Sequence, residues 1–259
     1  MRFRGPTPLT NLHICPSMVR SKLNNLRPSA APGPDGISPC VLQEVKDQIS
    51  LPLTIIFNLS ITEGKVPKDW KLANVTPVFK KGSKSAPGNY RPISLTCILC
   101  KVMKSLLREA MILHLQHYDL ISHSQHRFMA KKSCLTNLLD YMEKLTKLLD
   151  NGHDVDVCYL DFAKAFDKVP HQRLIAKLKA HGINGHIAAL IEDWLTGRKQ
   201  RVVINGSASC WADVVSGVPQ GSCVGPLLFI IFINDIDQAV DLAATHLWKF
   251  AARVITIYI

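Results

Sequence analysis

An aspartate ends an apolar stretch in the segment YLDFAKAFDKVP, which covers residues 159–170. The residues before Asp161 alternate between the two sides of an extended chain, which predicts a β-strand that places this carboxylate on a definite face at its end. A carboxylate in that position can hold a divalent cation. It can also cap the helix predicted to follow, and the residue types alone leave both roles open.

Groups that can hold phosphates lie elsewhere in the chain. The basic loop FKKGSK at residues 79–84 is followed by Arg91 in NYRPISL, and guanidinium and ammonium groups bind phosphate oxygens. The Gly/Pro turn SGVPQGSCVGP at residues 216–226 allows a backbone to approach a ligand closely. Together with Asp161 these features suggest phosphoryl transfer on nucleic acid with two Mg²⁺ ions. Arg91 has the structural alternative of pairing with a nearby acid.

The charge balance points to a polyanionic partner. The chain of 259 residues carries 31 Lys and Arg against 20 Asp and Glu, a formal net charge of +11. A basic surface attracts nucleic acid, although a basic protein without such a partner has the same composition.

The cysteines and histidines do not predict a zinc site. Eight scattered cysteines are typical of reduced intracellular thiols, and CILC at residues 97–100 lacks a second pair. The pairs in HLQH (residues 114–117) and HSQH (residues 123–126) are interpreted as polar helix or loop faces. The N-terminus has no apolar core and the longest apolar run, residues 226–233, is short. We therefore expect an intracellular protein, in the cytoplasm or nucleus, that is not secreted and has no membrane segment.

The elements that must position these residues mix helices with strands, so the predicted class is α+β. Ser133 is predicted to cap a helix whose leucines form one apolar face, and Asn205-Gly206 is predicted to turn a β-hairpin. Helices are predicted over residues 14–27, 39–67 (one or two), 98–117, 133–152, 170–182, 185–197 and 227–240, with a loop at 28–39 and β-structure near 72–84.

Several motifs resemble one family. The chain contains, in this order, APGPDGI, WKLANVTPVFKKG, NYRPISL, SCLTNLL, LDFAKAFDKVPH, LIEDWLTGRKQRVVING and SGVPQGSCVGPLLFIIFINDI. Over about residues 10–250 it is similar to the reverse transcriptases (RNA-directed DNA polymerases) of non-LTR, LINE-like retrotransposons, a class of transposable elements.

The resemblance implies a right-hand polymerase fold with fingers and palm, an antiparallel palm sheet packed on helices and no thumb, truncated within the palm. It implies a lead-in helix at 1–27, fingers with the first palm helices at 28–150, an incomplete palm at 151–250 and an aberrant tail at 251–259.

The resemblance also assigns roles to residues. Asp161 and the backbone carbonyl of Phe162 would bind Mg²⁺, with Asp161 catalytic. The nucleotide would be bound by Lys80, Lys81, Arg91, Phe166 and Gln220. Pro219 and Gly221 would shape the floor under template and primer, and APGPDGI would lie close to the template.

Some of these residues have structural interpretations. Phe166 would be the aromatic gate under the sugar, or it belongs to the core. Asp35 is interpreted as the acid of an Asx-turn, Asp167 as a loop-stabilising acid and Asp235 as a helix-face residue.

A second pair of aspartates, which the family carries after an aromatic-Ala dipeptide, is missing here. Phe250 and Ala251 match the dipeptide, but Ala252 and Arg253 follow. Asp237 and Asp241 precede this position. We therefore predict a reverse transcriptase domain for RNA-templated DNA synthesis that is catalytically defective, a pseudoenzyme. Its partners would be RNA template, DNA primer and dNTP, with no small-molecule cofactor beyond Mg²⁺. The alternative is a non-catalytic remnant that binds RNA or primer–template.

Overall fold

The computed structural model describes residues 3, 5–122, 125, 132–236, 246–250 and 253–258. Its helices are α1 (Pro16–Asn24), α2 (Pro39–Glu44), α3 (Lys46–Glu63), α4 (Ile98–His117), α5 (Cys134–Asp150), α6 (His171–Ala180), α7 (Gly185–Leu195) and α8 (Gly225–Ile233). Its strands are β1 (Leu72–Phe79), β2 (Tyr90–Thr96), β3 (Asp156–Asp161), β4 (Arg198–Ile204), β5 (Ser207–Ala208), β6 (Ala212–Val214), β7 (His246–Phe250) and β8 (Arg253–Tyr258). The predicted α+β class is confirmed.

The first sheet has the strand order β2-β1-β4-β5, and β6 also pairs with β4. β1 runs antiparallel to β2 and parallel to β4. The predicted hairpin at Asn205-Gly206 is confirmed, because both residues have positive φ, 48° and 82°, as this tight turn requires. Residues 198–214, which the resemblance assigns to the palm, thus share a sheet with β1 and β2, which it assigns to the fingers. The boundaries between fingers and palm stay predictions.

The second sheet is antiparallel with the order β3-β8-β7. Its register pairs Asp156 with Tyr258 at one end and Asp161 with Arg253 at the other. The strand predicted to end at Asp161 is therefore confirmed. Residues 237–245, 251 and 252 lie outside the described residues, and with them Asp237, Asp241, Ala251 and Ala252.

One large apolar core joins most of the helices. Fully buried side chains of α1, α3, α4, α6, α7 and α8 contribute to it, including Leu23, Phe57, Leu106, Leu174 and Ile231. α8 is buried almost throughout, as its unbroken apolar sequence predicts.

α5 begins as predicted, and much of its apolar face is exposed. Ser133 and Thr136 form a reciprocal capping box at its start. On the predicted apolar face, Leu135 and Leu139 are 64% and 59% exposed. The helix is buried instead through Tyr141, which packs with Leu145 and Leu148 in a small separate cluster.

Candidate active site

The segment after β3 forms a compact turn. Asp161 is exposed at the strand end, and Lys164 adopts a positive φ of 51°. The amides of Asp167 and Lys168 both donate to the carbonyl oxygen of Lys164, at 2.9 and 3.2 Å. This turn carries the backbone from the second sheet to α6, and it leaves Phe162 39% exposed beside Asp161.

The GVPQG loop, residues 217–221, docks on this turn through backbone hydrogen bonds. Val218 N donates to the carbonyl of Phe166 at 2.8 Å, and Gly217 N donates to the carbonyl of Val169 at 2.9 Å. The hydroxyl of Ser216 donates to the carbonyl of Asp167 at 2.9 Å. The loop and the turn are therefore one unit.

Gly217 is required at this contact. Its φ is +86°, and a Cβ built on it would lie 2.7 Å from the carbonyl oxygen of Asp167. Both the left-handed backbone and the close approach exclude a side chain here. His171 adds one further hydrogen bond, in which its Nε2 donates to the carbonyl oxygen of Gly217 at 2.9 Å.

Gln220 connects the loop to the first sheet. Its carbonyl accepts from Ser94 N of β2 at 2.9 Å, and its side-chain amide donates to Asp167 Oδ1 at 3.4 Å. A Cβ on Gly221 would lie 3.3 Å from Ile93 Cγ2, so the loop backbone lies against β2. The structure thus brings the predicted residue Gln220 close to the strand that carries Arg91.

The other loop residues are held by local contacts. The carbonyl of Pro219 accepts from the amide and the hydroxyl of Ser222, at 3.3 and 3.0 Å. Gly225, where α8 begins, lies so close that its Cβ would be 2.6 Å from that same carbonyl oxygen.

Phe166 stacks on Phe229 of α8, with ring centres 4.6 Å apart and ring planes inclined by 21°. It is partly buried against the main core. Both interpretations therefore stay open, because one face of the ring is packed while part of the residue contacts solvent.

The predicted phosphate-binding residues lie at the far end of the β1–β2 hairpin. Lys80, Lys81 and Arg91 are exposed, and Lys80 N donates to the carbonyl of Asn89 at 2.9 Å. In the part of the chain that the structure describes, Arg91 forms no ion pair with an acid. The alternative of a local acidic partner for Arg91 therefore gains no support here.

The APGPDGI loop packs at the junction of β2 and α4. A Cβ on Gly33 would lie 2.5 Å from the amide nitrogen of Cys97, so the two backbones touch. Asp35 Oδ1 accepts from Ile37 N at 3.4 Å, which agrees with an Asx-turn. Burial, and then a hydrogen bond with Asp35, raise the pKa of the Cys97 thiol to about 12.

One acid and one histidine that the sequence singled out have structural partners. Asp235 pairs with Lys177, whose proximity outweighs burial and lowers the pKa of that carboxyl. His114 is buried, and its Nε2 hydrogen-bonds the carbonyl of His181 at 2.9 Å. His123 and His126 lie outside the described residues.

Sequence reasoning missed the contacts that assemble the site. The Ser94–Gln220 hydrogen bond and the docking of Gly217 on Asp167 join segments far apart in the chain. The sequence signal that was available is the glycine on each side of Val218-Pro219-Gln220, since such positions indicate close backbone approach.

The described residues do not fit a two-metal site. Among them, no three His, Cys, Asp or Glu side chains are grouped as metal ligands. The residue directly opposite Asp161 in the sheet is Arg253, a cation. Mg²⁺ in proteins is held by carboxylate and other oxygen ligands, so this donor set is poor for it.

Comparison with known proteins gives a consistent picture. Residues 78–258 match the sequence pattern of the family described as reverse transcriptase (RNA-dependent DNA polymerase). The chain is 29% identical over 233 residues to a "Probable RNA-directed DNA polymerase from transposon X-element" of Drosophila melanogaster, covering 90% of the chain and 25% of that protein. It is also 29% identical over 219 residues to the "RNA-directed DNA polymerase from mobile element jockey" of Drosophila funebris, covering 84% and 24%. The chain thus spans about a quarter of these relatives' length.

The fold is similar to that of a solved telomerase structure. An apo telomerase from Candida tropicalis, truncated from its C-terminal domain, superimposes with a TM-score of 0.53 at 11% identity, covering 85% of this chain and 49% of the telomerase chain. Among the described residues, none of the helices is long and apolar enough to cross a bilayer.

Proposed function

The chain belongs to the reverse transcriptase family, and we propose that it binds an RNA template, a DNA primer and a dNTP without efficient DNA synthesis. Its similarity to polymerases of non-LTR elements supports this choice of nucleic acid. The proposed surface consists of the GVPQG loop, the turn after β3 and the exposed end of the β1–β2 hairpin.

Binding is supported by the arrangement of cations and backbone. Arg91 and the two lysines at positions 80 and 81 are exposed and suit the phosphates of an incoming nucleotide. Gln220 is tied to β2 through Ser94 and to the turn through Asp167, so the loop that would support a base pair is held from two sides. The net charge of +11 favours a polynucleotide.

The observation that carries the proposed defect is the register of Asp161 with Arg253. Two-metal nucleotidyl transfer, the chemistry that the resemblance implies, needs several carboxylates around the reacting phosphate. This chain has Ala252 and Arg253 where the family resemblance predicts two aspartates. An arginine stays positively charged at any working pH, so it opposes metal binding at that place.

The second candidate function is binding of RNA or primer–template by a remnant with no chemistry at all. The same register favours it, because position 253, opposite the one carboxylate that the resemblance makes catalytic, is an arginine. The two candidates differ in the dNTP, which is a ligand of the first candidate only.

The experiment combines binding with primer extension. The purified chain is mixed with a fluorescent DNA primer on an RNA template, with Mg²⁺ and dNTPs, beside Asp161→Ala. We expect salt-sensitive binding by both proteins and equal, background-level extension. Extension by the unaltered chain that Asp161→Ala abolishes would contradict the proposed defect, and absence of binding would contradict the proposed function as a whole.

A further inference from the structure

Arg201 of β4 is held in one orientation by two contacts. Its Nε donates to Asn74 Oδ1 of β1 at 2.9 Å, and its guanidinium carbon lies 4.6 Å from the centre of the Trp211 ring. Within the described part of the chain it forms no ion pair. The guanidinium is therefore ordered, while its charge is not neutralised by a carboxylate.

Trp211 presents an indole ring to solvent beside this cation. The residue is 39% exposed, just before the short strand β6. An ordered guanidinium plane next to an exposed aromatic ring offers two flat surfaces, both of which stack on nucleobases. The guanidinium also has N–H donors beyond Nε that can bind a backbone phosphate.

The pair shares one face of the first sheet with Arg91. Asn74 is the register partner of Arg201, and Val78 on the same strand is the register partner of Arg91. Residues 74 and 78 project to the same face, because side chains alternate along a strand. The two positions are about 13 Å apart along β1, and two strand spacings of about 4.8 Å separate β2 from β4. A strand of nucleic acid that passes Arg91 can therefore reach Trp211.

We propose that Trp211 and Arg201 form a stacking site for an unpaired base of single-stranded nucleic acid, on the face of the first sheet that carries Arg91. The inference rests on the proposed function and adds a specific contact to it. Nucleic acid is favoured over an acidic protein segment because the site offers flat stacking surfaces as well as charge, in a chain with a net charge of +11.

The test measures the affinity of the 259-residue chain for a fluorescein-labelled oligoadenylate of about 12 nucleotides, within the usual range of single-strand site sizes, by fluorescence anisotropy over a salt series. Base–aromatic stacking predicts that Trp211→Ala weakens binding about tenfold. Trp211→Phe keeps a stacking ring, so its affinity should stay within about threefold. The control is Ile204→Ala, on the same strand as Arg201 but on the opposite face and 53% exposed, which should bind like the unaltered chain.

The salt dependence separates stacking from charge. Trp211→Ala should leave the slope of log affinity against log salt unchanged, whereas Arg201→Ala should reduce it by about 0.7. If the unaltered chain binds and Trp211→Ala binds equally well, or Trp211→Phe loses as much as Trp211→Ala, the stacking site is wrong and the proposed function stands. If the unaltered chain does not bind the oligonucleotide, both proposals are wrong.

Discussion

Asp161 at the end of β3 and Arg253 at the start of β8 are directly opposite each other in the antiparallel second sheet. Opposite residues of such a pair have their Cβ atoms about 4.5–5.5 Å apart. The family resemblance predicts a carboxylate-rich centre here, and the chain supplies one acid and one cation. The register thus puts an arginine opposite the aspartate that the resemblance makes catalytic.

Arg91 should contribute to nucleotide and primer–template binding through its charge. Arg91→Ala is expected to weaken binding and to lower the salt dependence by about one unit of slope, since one phosphate contact is lost. The measurement is anisotropy over a salt series. Arg173→Ala is the control, because Arg173 is an exposed arginine of α6 that is not part of the proposed surface. Equal effects of both substitutions would show that only net charge matters.

Gly217 should be far less tolerant of alanine than a glycine with a similar backbone and no neighbours. Gly206 has a φ of +82° and nothing within 4 Å of a built Cβ, whereas Gly217 has a φ of +86° and the Asp167 backbone at 2.7 Å. Gly217→Ala should therefore lower the free energy of unfolding by at least about 1 kcal/mol more than Gly206→Ala. Urea denaturation followed by circular dichroism measures both. Equal losses would mean that the GVPQG loop does not dock on the turn as described.

Cys97 should resist alkylation where exposed thiols react. Its pKa is raised to about 12 by burial and by Asp35, so almost no thiolate exists between pH 7 and 9. Because the folded-state pKa lies above that of an unfolded thiol, raising the pH above the unfolded value favours the unfolded chain. Peptide mapping after iodoacetamide treatment should find Cys40, which is exposed, modified and Cys97 intact. Rapid modification of Cys97 in the folded protein would argue against the packing of the APGPDGI loop.

The exposed leucines of α5 give a prediction about stability. Leu139 is 59% exposed, so Leu139→Lys should change the free energy of unfolding by no more than about 0.5 kcal/mol. Tyr141 is 5% exposed, and its hydroxyl hydrogen-bonds the hydroxyl of Tyr159 at 3.1 Å. Tyr141→Ala should therefore lower the free energy of unfolding by about 3 kcal/mol or more. Thermal or urea unfolding measures both variants. A large loss in the free energy of unfolding for Leu139→Lys would contradict the exposed position of this leucine.

The elements that the sequence predicted well depend on local chemistry. The cap at Ser133, the turn at Asn205-Gly206 and the end of β3 at Asp161 each follow from residues within a few positions of one another. The parallel pairing of β1 with β4 could not be predicted in this way, since more than a hundred residues separate the strands.

For the candidate site, too, local sequence patterns predicted single residues but not the contacts between distant segments. The residue types named Asp161 and Arg91 as candidates, the family resemblance named Gln220, and the roles of all three stay predictions. The contacts between segments, such as Ser94 with Gln220, depend on tertiary packing that no local pattern encodes. The leucine spacing of α5 predicts an apolar face, but it does not show which surface, if any, covers that face, and Leu135 and Leu139 are exposed.

The most direct measurement is primer extension by a variant with Ala252→Asp and Arg253→Asp together. It uses an RNA template, a DNA primer, Mg²⁺ and dNTPs, beside the unaltered chain and the same double variant with Asp161→Ala. The account predicts extension by the double variant, which Asp161→Ala abolishes, and none by the unaltered chain. Extension by the unaltered chain that requires Asp161 would contradict it, because the position opposite Asp161 would then be no obstacle to synthesis.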